Sequence, residues 1–168
     1  MSYLYDSLAR YGDVYSLDLS VNQIDLMNKL KLYKNEWVKY NPRKDIPRYG
    51  LSITSLDGGL SGIPDLDSIK EYNTKHNLDL DETNFNTKTE LWPLVQDALA
   101  PFENYLGRTH FIRMDRTGCF PPHRDDYSID VNSFRLFIAI DGCNPPDNYF
   151  IIEEKICNFI VWKINRLY

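Results

Sequence analysis

The hydrophobic repeat of this chain changes at Arg108, and that change constrains the fold more than any other feature. Upstream, apolar residues recur every three or four positions. Ile24, Met27, Leu30, Tyr33 and Trp37 form one stripe; Leu91, Leu94, Val95, Ala98, Leu99, Phe102 and Leu106 form a second. That spacing puts each set on one side of a helix. Downstream the alternation is twofold, the mark of half-buried strands. It predicts strands at Thr109–Asp115, Phe134–Asp141, Asn148–Glu153 and Cys157–Ile164, separated by Pro, Gly, Asp and Asn. Helices first and strands after is an α+β order.

The helix ends have their own signals. Ser20-Val21-Asn22-Gln23 and Thr87-Lys88-Thr89-Glu90 read as capping boxes. Asn41-Pro42 closes the first helix, Pro101 is expected to kink or split the second, and Gly107 is its expected C-cap. Tyr49 to Ile53 alternates like a strand, and Asp57-Gly58-Gly59 is a turn. Residues 60–86 read as loop with a short helix near Asp67 to Tyr72, either plain surface or the border of a substrate site. The helices near 21–40 and 88–106 are expected to pack on one outer face of an antiparallel sheet built from 108–164.

Length and composition narrow the function classes. At 168 residues the chain is expected to form one domain, with 1–107 mainly helix and loop and 108–168 mainly strand. A net charge of −5 argues against a nucleic-acid binder, which needs a basic face. Apolar runs stop at about five residues, far short of a membrane span. The N-terminal residues lack a basic and then apolar leader, and the three cysteines, Cys119, Cys143 and Cys157, lack Cys-x-x-Cys spacing. These point to reduced thiols and a cytoplasmic location.

The candidate site is Gly118-Cys119-Phe120-Pro121-Pro122-His123-Arg124-Asp125-Asp126. His123 and Asp125 are two apart, so on an extended segment an imidazole and a carboxylate share a face. Together they supply two of the three ligands of the facial triad that holds non-haem Fe(II). Gly118 allows a tight turn and the Pro pair stiffens the approach. Cys119 with His123 is a second possible metal pair; the blander reading of Cys119 is a buried, inert thiol. In Phe134–Ile140, the residues Phe134, Leu136, Ile138 and Ile140 form one apolar face. Arg135, Phe137, Ala139 and Asp141 form the other. An inward Arg135 requires an anion, either a cosubstrate carboxylate or a structural partner such as Asp125, Asp126 or Asp141.

Phe102 to Arg108, Phe111-Ile112-Arg113-Met114, Gly118, Pro122 to Asp125 and Arg135 to Ile140 together resemble the aspartyl/asparaginyl β-hydroxylase-like branch of the Fe(II)/2-oxoglutarate-dependent oxygenases. The resemblance covers roughly residues 90–168. It implies a double-stranded β-helix (a jelly roll, cupin-like) with N-terminal helices on one sheet, and an amino acid, peptide or other small molecule as substrate. It makes His123 and Asp125 metal ligands and catalytic residues. Arg135, and less closely Arg113, would bind 2-oxoglutarate. The family pattern also has a distal His on a later strand and a basic residue beyond it. No His follows His123 here, and His76 and His110 lie upstream. The expectation is therefore a chain truncated short of its third ligand, with weak iron binding and little or no turnover. The alternative is a non-catalytic jelly-roll module that binds a ligand or a protein. His123-Arg124-Asp125 also spells the start of a kinase catalytic loop, but Asp130 stands where that motif has Asn and no Gly-rich loop precedes it, so that reading is rejected.

Overall fold

The computed structural model describes residues 17, 19, 21–40, 45–61, 64, 66, 68–121, 135–142, 150–152 and 155–157, the last two segments as backbone. The described chain is mixed helix and antiparallel sheet.

Helix α1 spans Gln23–Leu30 and runs on into a 3-10 turn over Lys31–Tyr33. Asn22, two residues later than the capping box implied, is the N-cap: its Oδ1 accepts the Asp25 N–H at 3.1 Å. The buried side of α1 is Leu26 and Leu30, flanked by Val21, Met27 and Tyr33. Ile24 is 77% exposed and drops out of the stripe, because the buried side is centred on Leu26 and Leu30 and position 24 lies about 200° around the helix from Leu26. Asn22→Ala is expected to cost about 1 kcal/mol of stability, read as a lower urea midpoint with an unchanged slope.

Strands β1 (Val38–Lys39), β2 (Arg48–Ser52) and β5 (His110–Met114) form one antiparallel sheet in the order β1-β2-β5. Tyr49 pairs with Arg113, Leu51 with Phe111 and Ser52 with His110. Leu51 and Phe111 therefore share a face, and that face joins Leu26 and Leu30 of α1 in the main core. After β2 the Ile53 and Thr54 N–H groups both donate to the Thr109 carbonyl, at 2.9 and 3.1 Å. Two residues against one is a bulge. It turns the chain out of the first sheet and into β3 (Thr54–Ser55), which pairs with β4 (Thr87–Lys88).

Helix α2 (Ile69–His76) lies slightly later than the segment named from sequence. Residues 60–86 are more than surface: Leu66, Ile69 and Phe85 are all buried, Phe85 completely. The expected second long helix is broken into a 3-10 turn over Trp92–Leu94, a single α-turn α3 (Gln96–Leu99) and a 3-10 run over Ala100–Tyr105. Two causes are visible. Pro93 and Pro101 lack the N–H groups that a continuous helix uses. Thr87 and Lys88, half of the expected capping box, belong to β4, and Thr89 is tied to β2: its N–H donates to the Ile53 carbonyl and its hydroxyl to the Ser52 carbonyl at 2.8 Å. The split at Pro101 matches the sequence reading.

Leu136, Ile138 and Ile140 pack on the main core, so the apolar side read from their alternation is the one turned inward; Phe134 lies outside the described residues. Gln23 Nε2 donates to Asp141 Oδ1 at 3.2 Å and ties the end of that segment to the start of α1. Arg135–Ile140 pairs with no strand among the described residues, unlike the ladder expected there. β6 (Phe150–Ile152) and β7 (Lys155–Cys157) form an antiparallel pair. β6 lies within the strand read at Asn148–Glu153, whereas β7 starts before the one read at Cys157–Ile164; residues 158–164 lie outside the described ones. Among the described residues no helix is long and apolar enough to cross a membrane.

Candidate functional site on the second face of the central sheet

Side chains alternate across a strand, so β2 and β5 present a second face opposite the apolar one. It carries Arg48, Gly50 and Ser52 from β2 and His110, Ile112 and Met114 from β5. Gly50 is required here: a Cβ would sit 2.6 Å from a Leu66 methyl.

Arg48 is 3% exposed. Its guanidinium carbon lies 5.2 Å from the Tyr40 centroid and 4.2 Å from that of Phe120, and these two rings meet each other edge to face at 5.6 Å. The backbone holds Tyr40 in place, its N–H donating to the Arg48 carbonyl at 2.8 Å. The same Tyr40 ring meets His110 at 5.4 Å between centroids. Arg48, Tyr40, Phe120 and His110 thus form one continuous cluster, with Ser52 directly across the ladder from His110. Arg48 Nε, Ser52 Oγ and His110 Nδ1 are buried and make no hydrogen bond among the described residues.

His110 is held neutral. Burial, then the charges of Arg108 and Arg135, push its pKa down to about 3. Arg135 thus lies within electrostatic reach of His110, but its side chain is 45% exposed and not directed into an interior as its alternation with Leu136 suggested. Its Nη2 lies 3.6 Å from Glu82 Oε1, an acidic neighbour absent from the candidates named from sequence. Asp141 instead faces Gln23.

Glu82 reaches this place through local capping. Asp81 opens the 3-10 turn Glu82–Asn84 by accepting the Thr83 N–H at 2.7 Å, and Asn84 returns to the Asp81 N–H at 2.7 Å. The turn docks where the Arg108 N–H donates to the Glu82 carbonyl at 2.9 Å. A Cβ on Gly107 would run into that carbonyl oxygen, so Gly107 serves close approach and not the expected helix cap.

Arg113 stands apart. It shares the opposite face with Tyr49, its guanidinium 4.6 Å from the Tyr49 ring and 5.1 Å from that of Trp37, and it pairs with Asp115 at 3.1 Å. Arg113 thus lies on the sheet face opposite His110.

His123 and Asp125, the two proposed ligands, lie outside the described residues, as does Asp126. The turn that leads toward them is described. The Gly118 N–H donates to the Asp115 carbonyl at 2.8 Å. The left-handed residue of this turn is Thr117, at φ 71, an unusual conformation for a β-branched side chain. Gly118 is needed for space: a Cβ there would lie 2.7 Å from the Pro47 carbonyl oxygen. Cys119 is an exposed free thiol, which corrects the buried reading; the adjacent Phe120 takes the inward position against Arg48. Among the described residues no group of three His, Cys, Asp or Glu side chains is placed to hold a metal ion.

Sequence reasoning missed Arg48, Tyr40, Ser52 and Glu82, and used His110 only as a mismatch to the distal-His position. A signal for two of them was present: the alternation in β2 puts Arg48 and Ser52 on the side opposite Leu51. No family model matches the chain, no curated protein matches it, and no solved structure matches it.

Proposed function

We propose that this chain belongs to an Fe(II)/2-oxoglutarate-dependent oxygenase of the aspartyl/asparaginyl β-hydroxylase-like kind, its small antiparallel sheets being parts of a double-stranded β-helix. The observation that carries the reading is the placement of Arg135. Its neighbours Leu136, Ile138 and Ile140 join the apolar core, while Arg135 lies by Glu82 and close enough to His110 to depress its pKa. The His-x-Asp segment begins three residues after Phe120, whose ring meets Arg48.

An imidazole and a carboxylate suit Fe(II), so His123 and Asp125 would hold the ion and leave its remaining positions to other donors. The bound ion would supply the chemistry by which O₂ oxidises both partners, one oxygen atom entering succinate as 2-oxoglutarate loses CO₂ and the other entering a substrate C–H bond as a hydroxyl. Arg135 would orient a carboxylate of the cosubstrate through charge-assisted hydrogen bonds. Glu82 would position the guanidinium, and His110, neutral at all ordinary pH, adds no charge that repels the metal. The substrate would be an amino acid, a peptide residue or another small molecule.

The test is a titration of Mn(II), a redox-silent stand-in, into the 168-residue protein with and without 2-oxoglutarate, followed by a succinate assay with Fe(II) under air. Weak Mn(II) binding that 2-oxoglutarate strengthens is expected. His123→Ala and Asp125→Ala should abolish it. Arg135→Gln should weaken 2-oxoglutarate by about tenfold or more, the scale of one lost charge-assisted contact, with Mn(II) affinity in its absence unchanged. If neither metal nor cosubstrate binds the wild-type protein, the non-catalytic binding module is the better reading.

A further inference from the structure

A buried guanidinium without a carboxylate is expensive, and folded proteins keep one only where something compensates it. Arg48 is such a group. It is almost fully buried, its Nε makes no hydrogen bond, and no acidic side chain pairs with it among the described residues. The rings of Tyr40 and Phe120 recover part of the cost by cation–π contact. The rings supply no oxygen acceptor, so the buried Nε–H still lacks a hydrogen-bond partner among the described residues, and a carboxylate or phosphate oxygen would provide one.

The surroundings repeat the pattern. Ser52 is fully buried and its hydroxyl has no partner among the described residues. Buried hydroxyls normally have one. His110, across the ladder from Ser52 and against the Tyr40 ring, also leaves a buried ring nitrogen unused. Three unmet polar groups on one sheet face, two of them against the Tyr40 ring and the third across the ladder from His110, are a poor way to stabilise a core and a good way to receive a ligand.

We propose that Arg48, with Ser52 and His110, forms a binding site for an anionic group, a carboxylate or a phosphate, carried by a small-molecule ligand. Arg48 donates its Nε–H to an oxygen of that group, and Ser52 donates its hydroxyl proton to the same ligand. The site is independent of iron and of 2-oxoglutarate turnover, since none of its residues is among the proposed metal ligands or the proposed cosubstrate arginine.

The experiment is thermal unfolding and calorimetric titration of the full 168-residue protein with sodium phosphate or sodium succinate, against sodium chloride at equal ionic strength and without added metal. Arg48→Met and Ser52→Ala are the variants. Wild-type protein should gain several degrees in melting temperature with phosphate or succinate and none with chloride, as a ligand that binds only the folded state requires. Whichever anion acts identifies the group, and either supports the site. Arg48→Met should weaken that anion at least about tenfold. It should also melt at or above the wild-type temperature without anion, because it removes an uncompensated charge and keeps the volume. Ser52→Ala should fold normally and weaken binding severalfold. No anion-specific shift in the wild-type protein overturns the proposal. So does an undiminished shift in both variants, which marks an ion bound elsewhere. The iron reading fails or stands separately, on Mn(II) and 2-oxoglutarate binding.

Discussion

Phe85→Ala is expected to destabilise the protein by about 3–5 kcal/mol, the range for truncating a fully buried Phe and leaving a cavity. Phe85 has no exposed surface. It stands at the C-cap of the Glu82–Asn84 turn, with the Arg108 guanidinium 5.8 Å from its ring. The loss is a large share of the ~5–15 kcal/mol that holds an ordinary domain. It should also loosen the turn that brings Glu82 to Arg135. The check is guanidinium unfolding followed by tryptophan fluorescence. A midpoint within about 1 kcal/mol of wild type would mean that residues 82–85 do not close the core as described. Phe85→Leu, which keeps most of the volume, should fall well short of the alanine loss.

The second large effect is on acid stability and belongs to His110. Unfolded, this imidazole titrates near ~6.5; folded, its pKa is pushed down to about 3. As pH falls below neutrality the unfolded chain takes up a proton that the folded chain refuses, so stability is lost. The loss begins near the unfolded value and levels off only below the folded one. Between pH 7 and pH 5 it should amount to about 2 kcal/mol. The groups around the ring do not offset it: Arg108 and Arg135 repel a proton, and Tyr40 stacks on the ring without accepting one. Urea midpoints for wild-type protein and His110→Gln across that range are the measurement. The variant should lose this part of the acid sensitivity. Parallel curves for the two proteins would show that His110 protonates freely in the folded state and that its burial is overstated.

These two residues show where sequence reading stops. Local patterns were legible. The split at Pro101, the strands around Tyr49 and Phe111, and the apolar alternation Leu136-Ile138-Ile140 depend on backbone chemistry and side-chain period, both local properties. The parity argument expected Arg135 to look into an interior, but its side chain is 45% exposed and Phe137 on the same face is 61% exposed, because no described strand covers that face. What failed depended on contacts distant in sequence. Thr87 and Lys88 look like the start of a capping box, yet β3 recruits them as a strand across more than thirty residues. Phe85 sits in a stretch of Asp and Asn that reads as loop, and only the packed core makes it central. Glu82 meets Arg135 across fifty-three residues, because a capped turn is held against Gly107 and Arg108.

The candidate site divides in the same way. Motif chemistry singled out His123, Asp125 and Arg135, because metal and carboxylate binding need those side chains at those spacings. The Arg48 cluster has no motif. Arg48 and Ser52 come from β2 and His110 from β5, while Tyr40 follows β1 and Phe120 lies in a loop. Each is unremarkable in its own segment; strand pairing places Arg48, Ser52 and His110 on one face, and ring contacts bring Tyr40 and Phe120 to it. Period and turn chemistry thus determine which elements form and which way their apolar sides point. Which polar groups are buried together is decided by register between distant strands, since a shift of one residue would send Arg48, Ser52 and His110 to the opposite face.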